Sequence, residues 1–336
     1  MKRVSPGSDP RAPHSTSAHH YVTAGRLCWI AGRNVRIAII YAILAWQIPH
    51  FKEGGAVIGR STVTVRRRFI DLAGRQIHYR ERQGDGRPLV ILHHLPGSAA
   101  QMVPLIEAVE GRRVIAPDLA GLGDSDPHPA AAPSIADFAA DIAQVVRALG
   151  GGPVDLYGSH TGACVAVELA AAAPHLVHRI VLDGVPLWDA DTRAEMRAHY
   201  APSIAPDLNG AHLLWAHNFC RDQILFWPWY DKSAAAVRGA GLPPARTLHR
   251  WVVEVIKAIE TFPLGYHAVF DFDMAARLGD VRQPTLCIAA RVDPLGDPTA
   301  RAVDLLPDGR LHRIKTGESM PPPAAVAAAM GGFLDG

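Results

Sequence analysis

Residues 153–170 read P-V-D-L-Y-G-S-H-T-G-A-C-V-A-V-E-L-A, and this stretch decides the fold. A buried-type apolar run leads through Gly158 and Gly162 into a helix-forming run. Two glycines that flank three residues between a strand and a helix indicate a tight turn, because side chains at their positions would clash where strand and helix cross. The central residue of such a turn is held on a strained backbone, and here that residue is His160.

The chain around this turn alternates between two kinds of segment. From Val65 onward, short apolar runs alternate with stretches that have apolar residues at three- and four-residue steps. The pattern predicts βαβ units and a largely parallel sheet. The predicted strands are residues 68–72, 76–81, 88–93, 113–117, 153–157, 180–183, 285–290 and 310–315. The predicted helices are residues 100–110, 134–149, 161–172, 299–306 and 324–334.

One long interval interrupts the alternation. Residues 187–281 are rich in Trp, Tyr and Phe and contain no clear strand, and they are too many for a loop in a compact domain. We interpret them as an inserted helical cap. The expected organisation is therefore an N-terminal extension at 1–63, expected to be poorly ordered, a core formed by 64–186 and 282–336, and a cap at 187–281.

Composition and charge exclude several classes of protein. The 336 residues are 49% hydrophobic and 20% charged, which excludes a disordered chain. The net charge is +2, and residues 1–60 hold eight Lys and Arg against two acidic residues. The rest of the chain has no basic stripe, so we expect no nucleic-acid partner. The four cysteines have no metal or redox spacing, which favours free thiols in a reducing compartment and a cytoplasmic location.

The first sixty residues contain a single apolar run. It covers twelve residues, 37–48, whereas a membrane-spanning helix needs about 20. No small-residue cleavage site follows it, as a signal peptide would require. A non-structural leader, a membrane-touching arm and a targeting segment stay open as interpretations. We expect no stable membrane insertion, and a homodimer is left open.

Two further motifs give the chain a family resemblance. Residues 92–98, L-H-H-L-P-G-S, resemble the oxyanion loop that follows the third strand of α/β-hydrolases, and residues 118–125, D-L-A-G-L-G-D-S, resemble the turn after the fourth. With the turn at His160, they make the chain from about Thr64 resemble the α/β-hydrolase superfamily, in its capped branch of epoxide hydrolases, haloalkane dehalogenases and C–C bond hydrolases. The resemblance implies an α/β-hydrolase fold, a mostly parallel eight-stranded sheet with helices on both faces and an inserted helical cap.

The resemblance also implies a catalytic triad, which this chain has in an atypical form. The family order is nucleophile, then acid after the seventh strand, then histidine after the eighth. Asp293, in C-I-A-A-R-V-D-P-L, matches the acid. The nucleophile position, however, holds His160, and T-G-E-S-M-P-P-P places Glu318 where the family has histidine.

These residues suggest acid–base chemistry without a cofactor or a metal. We expect His160 to act as a base oriented by Glu318 with Asp293 in support, beneath an oxyanion hole formed by the backbone N–H groups of Leu95 and Thr161. A close carboxylate raises a histidine pKa by more than a helix N-terminus lowers it, so we expect a raised pKa for His160. The expected substrate is a small apolar ester-, epoxide- or halide-like molecule.

Other chemistries remain open at this stage. His160 could attack the substrate directly through an acyl-imidazole, or remove a proton from carbon in a lyase or isomerase reaction. A fold that has lost its usual nucleophile and base could instead be a catalytically silent binding protein. His94, His160 and Glu318 could also form a two-histidine, one-carboxylate metal site, although we expect no metal.

Further pocket candidates lie in the oxyanion loop and the predicted cap. His94 replaces the usual glycine of the oxyanion loop. Trp215, Trp227 and Trp229 form part of an aromatic stripe at helical spacing, which is more typical of a core than of a pocket wall. If the cap closes over the core, some of these rings would face His160 and favour an apolar substrate.

Overall fold

The computed structural model describes residues 64–315 and 321–336. The expected N-terminal extension, with the apolar run at 37–48, lies outside the described residues, and so does Glu318. Within the described ranges, no helix has the length and apolar character needed to cross a bilayer.

In the part of the chain that the structure describes, eight strands form one sheet in the order β1-β2-β4-β3-β5-β6-β7-β8. β2 pairs antiparallel with both β1 and β4, and all other neighbours are parallel. The eight strands predicted from the sequence are thus confirmed, with ends that differ by a few residues. The strands are β1 (Arg66–Leu72), β2 (Arg75–Arg82), β3 (Asp85–Leu92), β4 (Arg112–Pro117), β5 (Val154–Ser159), β6 (Val177–Asp183), β7 (Thr285–Ala290) and β8 (Gly309–Ile314).

Helices connect most of the parallel strands. They are α1 (Val103–Ala108), α2 (Ile135–Ala148), α3 (Thr161–Ala172), α4 (Ala190–His199), α5 (Ala211–Leu225), α6 (Ala245–Lys257), α7 (Phe262–Asp271), α8 (Met274–Leu278), α9 (Gly296–Ala302) and α10 (Pro323–Leu334). α1 is shorter than the predicted 100–110, because residues 98–102 form turns in which Gln101 N–H donates to Ser98 O at 3.0 Å. α9 begins at Gly296, before the predicted 299, and continues as a 3-10 turn from Val303 to Leu305.

The central strands are buried on both faces. Val90 and Leu92 of β3 belong to one apolar cluster with residues of α2 and α3, whereas Leu89 and Ile91 belong to a second cluster with residues of α1 and α10. Because successive side chains of a strand point to opposite faces, this division places helices on both sides of the sheet. Burial of both faces explains why the strands read as continuous apolar runs in the sequence.

The segment between β6 and β7 contains α4 to α8 and contacts the loops at the carboxyl ends of the strands. Tyr266 of α7 donates a hydrogen bond from its hydroxyl to the carbonyl oxygen of Leu95 at 2.8 Å. A β-carbon on Gly265 would lie 2.7 Å from the Leu95 side chain, so the helix approaches this loop closely. The helical content predicted for residues 187–281 agrees with these helices, and the cap boundaries stay a prediction.

A buried carboxylate holds the loops after β3 and β4 together. Asp118 Oδ1 accepts the N–H of Ala99 at 2.7 Å, and Oδ2 accepts the N–H of Asp124 at 2.8 Å and lies 2.8 Å from Nδ1 of His78. A β-carbon on Gly123 would lie 2.1 Å from Oδ2, which explains the glycine at this position of the motif at 118–125. The side chain thus fixes the loop of residues 93–99 relative to the sheet.

We predict that Asp118→Ala lowers the free energy of unfolding by about 2–5 kcal/mol, because buried donors in two loops lose their acceptor. Urea unfolding followed by circular dichroism measures the change. Asp304→Ala, which removes an exposed carboxylate, is the matched control and should change stability by less than about 0.5 kcal/mol. Equal stability of the two variants would contradict this role for Asp118.

Candidate active site

The turn between β5 and α3 has the geometry that its glycines indicate. β5 ends at Ser159 and α3 begins at Thr161, so His160 alone forms the apex. Its φ of 50° and ψ of −105° are unusual for a residue with a side chain, and such conformations cost about 1–3 kcal/mol. A strained residue at a strand-to-helix junction is a common feature of active sites.

Both glycines of the motif are required by close backbone contacts. A β-carbon on Gly158 would lie 2.3 Å from the carbonyl oxygen of Gly162, and one on Gly162 would lie 2.2 Å from that of Leu92. These distances are far below van der Waals contact, so β3, β5 and α3 cross as closely as they do only with glycine at both positions. The crossing fixes where the side chain of His160 begins.

His160 forms a hydrogen-bonded pair with Asp293, which follows β7. Nε2 of His160 lies 2.6 Å from Oδ2 of Asp293, and Oδ1 of Asp293 accepts the N–H of Leu295 at 2.8 Å. An ionised carboxylate can only accept hydrogen bonds, so Nε2 carries the proton in the neutral imidazole. Nδ1 is then the nitrogen with a free lone pair, and it can accept a proton from a bound molecule.

Electrostatics in the pair favour a basic imidazole and an ionised carboxylate. Burial lowers the pKa of His160, but the charge of Asp293 and the hydrogen bond to it outweigh burial, so the pKa is raised above its usual value. Burial raises the pKa of Asp293, while the charge and hydrogen bond of His160 lower it by more, so the net shift is downward. The two groups therefore stabilise each other's charged forms.

A glycine in the loop after β6 leaves space for the pair. Gly184 has a φ of 78°, and a β-carbon at its position would lie 2.2 Å from Cδ2 of His160 and 3.2 Å from Oδ2 of Asp293. The imidazole thus occupies volume that any other residue at 184 would fill. Sequence reasoning did not single out Gly184, because a lone glycine after a strand normally indicates only a turn.

A second carboxylate, Asp183, lies at the end of β6 beside the pair. Its Oδ2 accepts a hydrogen bond from the hydroxyl of Tyr157 at 2.7 Å. Burial and the nearby charge of Asp293 raise the pKa of Asp183 to about 6, although the bond from Tyr157 opposes the shift. Asp183 is thus held by Tyr157 beside the pair of His160 and Asp293.

The loop at residues 93–98 brings a second imidazole to the site. The ring centroid of His94 lies 6.1 Å from that of His160, and burial together with His160 and His93 lowers the pKa of His94 to about 3. His93 is fully buried, accepts the N–H of Leu119 at Nε2 (3.0 Å) and donates from Nδ1 to the carbonyl of His94 (2.9 Å). His94 is therefore neutral, and His93 holds the backbone that carries it.

The backbone N–H groups predicted to form an oxyanion hole belong to residues that line the same cavity as His160. Leu95 follows His94, and Thr161 is the first residue of α3. Among the residues that the structure describes, no acceptor pairs with the N–H of either residue. The first N–H groups of a helix also carry a partial positive charge, which favours a negatively charged oxygen.

A cavity of about 420 Å³ opens above the pair. Its aromatic wall comes from the segment between β6 and β7 and consists of Trp188, Tyr200, Trp227, Trp251, Tyr266 and Phe270. The size suits a small organic molecule, and the mainly apolar wall favours an apolar one.

The tryptophan candidates from the sequence occupy two different environments. Trp227 lines the cavity. Trp215 stacks on Phe219 with ring centroids 4.8 Å apart, and Trp229 donates from Nε1 to the carbonyl of Tyr200 at 2.8 Å. Neither Trp215 nor Trp229 is part of the cavity wall, because both rings pack in the aromatic core of the helical segment.

Two sequence hypotheses involve the position of Glu318, which lies outside the described residues. One is its contact with His160, and the other is a metal site with His94 and His160. Among the described residues, ligand atoms of His78, Asp118 and Asp124 lie within 4.8 Å of one another. Both oxygens of Asp118 already accept backbone N–H groups, so that cluster is explained by the loop contacts given above.

Arg238 is a further cavity residue for which the sequence gave no signal. It lies in an irregular stretch before α6, and an isolated arginine in such a stretch has no pattern that distinguishes it from a surface residue. Its guanidinium instead reaches the cavity that contains His160 and Asp293.

We predict that Gly184→Ala separates His160 from Asp293, because the added β-carbon overlaps the imidazole. The pKa of His160, measured by NMR with labelled histidine, should then fall toward its ordinary value of about 6.5. Gly74→Ala is the control, since Gly74 has a φ of 84° but no atom within 4 Å of an added β-carbon. A pKa unchanged in Gly184→Ala would show that the pair tolerates a side chain there.

The chain matches the family model described as alpha/beta hydrolase fold over residues 87–199. It is 32% identical over 247 residues to a protein of Variovorax paradoxus assigned as carbamate hydrolase RutD, an alignment that covers 69% of this chain and 85% of that one. It is 29% identical over 256 residues to the RutD of Azorhizobium caulinodans, covering 71% and 86%.

Solved structures give the same fold. Epoxide hydrolase A from Mycobacterium thermoresistibile superimposes with a TM-score of 0.63 at 24% identity, over 81% of this chain and 99% of that one. The resemblance to the α/β-hydrolase superfamily and the predicted fold class are thereby confirmed. The chain belongs to the α/β-hydrolase fold family and is a hydrolase-like enzyme that acts on small substrates.

Proposed function

We propose that the protein hydrolyses small, mainly apolar acyl compounds, such as esters or carbamates, with His160 as the general base and Asp293 as the residue that orients it. The 2.6 Å contact between Nε2 of His160 and Oδ2 of Asp293 carries this proposal. Relatives assigned as carbamate hydrolases support an acyl substrate. The segment at 187–281 would act as a cap that supplies the apolar wall.

The groups around His160 suit a carbonyl better than a haloalkane. Two backbone N–H groups next to a base can stabilise the oxygen that becomes negative when a carbonyl carbon is attacked. A haloalkane offers no such oxygen, and its displacement needs a strong nucleophile. Of the substrate classes that the sequence left open, esters and other acyl compounds therefore fit this arrangement better than haloalkanes.

The proposed reaction has two steps. Nδ1 of His160 takes a proton from a water molecule while the water oxygen bonds to the carbonyl carbon, and the carbonyl oxygen becomes negative beside the N–H groups of Leu95 and Thr161. The tetrahedral intermediate then collapses, the bond to the leaving oxygen or nitrogen breaks, and the imidazolium returns its proton to the leaving group. Asp293 stabilises the imidazolium between the steps.

Three other features of the chain support this assignment or extend it. His94 is neutral, so its N–H can donate to the substrate without adding a charge. Glu318 would add a further carboxylate near His160 if it contacts the ring as its sequence position suggests. The same base could also remove a proton from carbon, and the experiment below separates that reaction from hydrolysis.

We predict that His160→Gln lowers kcat/KM for ester or carbamate hydrolysis by at least about 100-fold, because general-base catalysis contributes about 10²–10⁴-fold. A panel of aryl esters and aryl carbamates, followed by release of the phenol, finds the substrate and measures the loss. His175→Gln, at an exposed histidine, is the matched control and should keep full activity.

Two results would contradict the proposal. Turnover retained in His160→Gln would exclude His160 as the base. Absence of hydrolysis together with deuterium exchange from D₂O into a ketone analogue, abolished in His160→Gln, would assign the site to proton transfer at carbon. An acyl group trapped on His160 and detected by mass spectrometry would replace water activation by direct attack.

We predict that kcat/KM rises with pH through a midpoint above 6.5, because only neutral His160 accepts a proton and its pKa is raised by Asp293. In Asp293→Asn the charge is removed, so the midpoint should fall by about one to three pH units while the maximal rate also falls. The pH profiles of the two proteins are compared on one substrate. A midpoint that does not move in Asp293→Asn would exclude Asp293 as the cause of the raised pKa.

A further inference from the structure

Among the residues that the structure describes, one arginine, Arg238, lines the mainly apolar cavity. Arg238 lies between the 3-10 turn at Ala234–Ala236 and α6, and it lines the cavity together with His160 and Asp293. Its side chain is only partly exposed. Neither the water-activation chemistry nor the oxyanion hole proposed above uses this group.

Two backbone contacts fix the orientation of the guanidinium. Nη1 donates to the carbonyl of Gln223 at 2.5 Å, and Nη2 donates to the carbonyl of Val292 at 2.8 Å. Guanidinium has five N–H bonds, so these contacts leave three that can donate elsewhere. A cation held in this way has lost much of its conformational freedom before any ligand arrives, which reduces the entropy lost on binding.

The charge of Arg238 is incompletely balanced by its neighbours. Burial lowers its pKa, and the nearby charge of Asp293 raises it, but no carboxylate of the described residues forms an ion pair with it. Asp293 is already engaged by the imidazole of His160. Asp183, the other carboxylate that lines the cavity, accepts a hydrogen bond from Tyr157 and forms no ion pair with Arg238. Among the described residues, the guanidinium is therefore not neutralised by a direct carboxylate contact.

We propose that Arg238 binds a carboxylate of the substrate, so that the preferred substrates are small acyl compounds with an apolar body and one carboxylate group. The planar guanidinium can donate two parallel hydrogen bonds to a carboxylate. A single cation in an apolar cavity matches a monoanion, whereas a phosphate dianion would need more positive charge. This inference rests on the proposed function, because the bound compound is a substrate only if the protein hydrolyses acyl compounds. Binding of an anion to Arg238 can be tested without turnover.

Binding of 3-phenylpropionate and 3-phenylpropanamide, measured by isothermal titration calorimetry, tests the site. The two probes have the same apolar body and differ only in charge. The wild-type protein should bind the acid at least about tenfold more tightly than the amide, since charge-assisted hydrogen bonds are about twice as strong as neutral ones. Arg238→Gln should remove this preference, and Arg238→Lys should keep part of it.

Two further variants serve as controls. Arg193 also donates from Nη1 to a backbone carbonyl, that of Phe272, but it does not line the cavity, so Arg193→Gln should keep the preference. His160→Gln should keep it as well, because the carboxylate binds Arg238. Loss of the preference in His160→Gln but not in Arg238→Gln would identify the imidazolium as the partner of the anion and overturn the proposal.

Other outcomes also overturn it. One is equal affinity of the wild-type protein for the acid and the amide, and another is no binding of either probe. A third is an equal loss of affinity for both probes in Arg238→Gln, which would assign Arg238 a structural role on the loop of Val292. A turnover measurement tests whether Arg238 also recognises a carboxylate on a substrate. Monophenyl glutarate should be hydrolysed with a lower KM than phenyl pentanoate, and Arg238→Gln should raise the KM of the first compound only.

The two experiments separate the anion site from the proposed reaction. Acid preference that depends on Arg238, in a protein that hydrolyses no ester or carbamate, would retain the anion site and refute the proposed function. Hydrolysis that depends on His160 without a preference for the acid would retain the function and refute the role of Arg238.

Discussion

The close crossing of β3, β5 and α3 is the constraint from which the rest of the site follows. Gly158 and Gly162 allow backbone approaches that no side chain would permit, and the crossing forces the residue between strand and helix into a positive φ. That conformation directs the side chain of His160 toward the loop after β7. The strain is offset by the packing of a sheet that is buried on both faces, so the apex residue is fixed by the whole core.

The histidine at the apex of the turn between β5 and α3 changes which part of the chain supplies the imidazole of the site. In the family that this chain belongs to, the acid after the seventh strand orients a histidine from the loop after the eighth. Here Asp293 contacts the imidazole of His160 at the turn between β5 and α3, and Gly184 provides the volume for that contact. Because the imidazole itself stands at the apex of the turn, the proposed function uses water as the attacking group. The proposed chemistry thus follows from a change in which element supplies the imidazole.

The sequence determined much of this arrangement because its main signals are local. Strand periodicity, the glycines around His160 and the motif at 118–125 depend on contacts between neighbouring backbones, and such contacts restrict residue type strongly. Gly184 and Arg238 could not be found in this way. Gly184 is required by a side chain 24 positions earlier in the chain, and Arg238 reaches the cavity only because the helical segment folds over the core. Trp215 and Trp229 belong to the same aromatic stripe as Trp227, which lines the cavity. Contacts with Phe219 and Tyr200 instead hold the rings of Trp215 and Trp229 in the aromatic core.

The distribution of charge around His160 raises its pKa although the ring is buried. Asp183 has its pKa raised to about 6 and shares a hydrogen bond with Tyr157, so near neutral pH it adds less negative charge to the centre than Asp293 does. His94 is kept neutral by burial and by the neighbouring imidazoles. Asp293 is the carboxylate in hydrogen-bond contact with His160, and the charge of Asp183 also raises the pKa of His160. Arg238 donates to the carbonyl of Val292, the residue before Asp293. An imidazole in such a field can accept a proton during the reaction, because the resulting cation has a partner already in place.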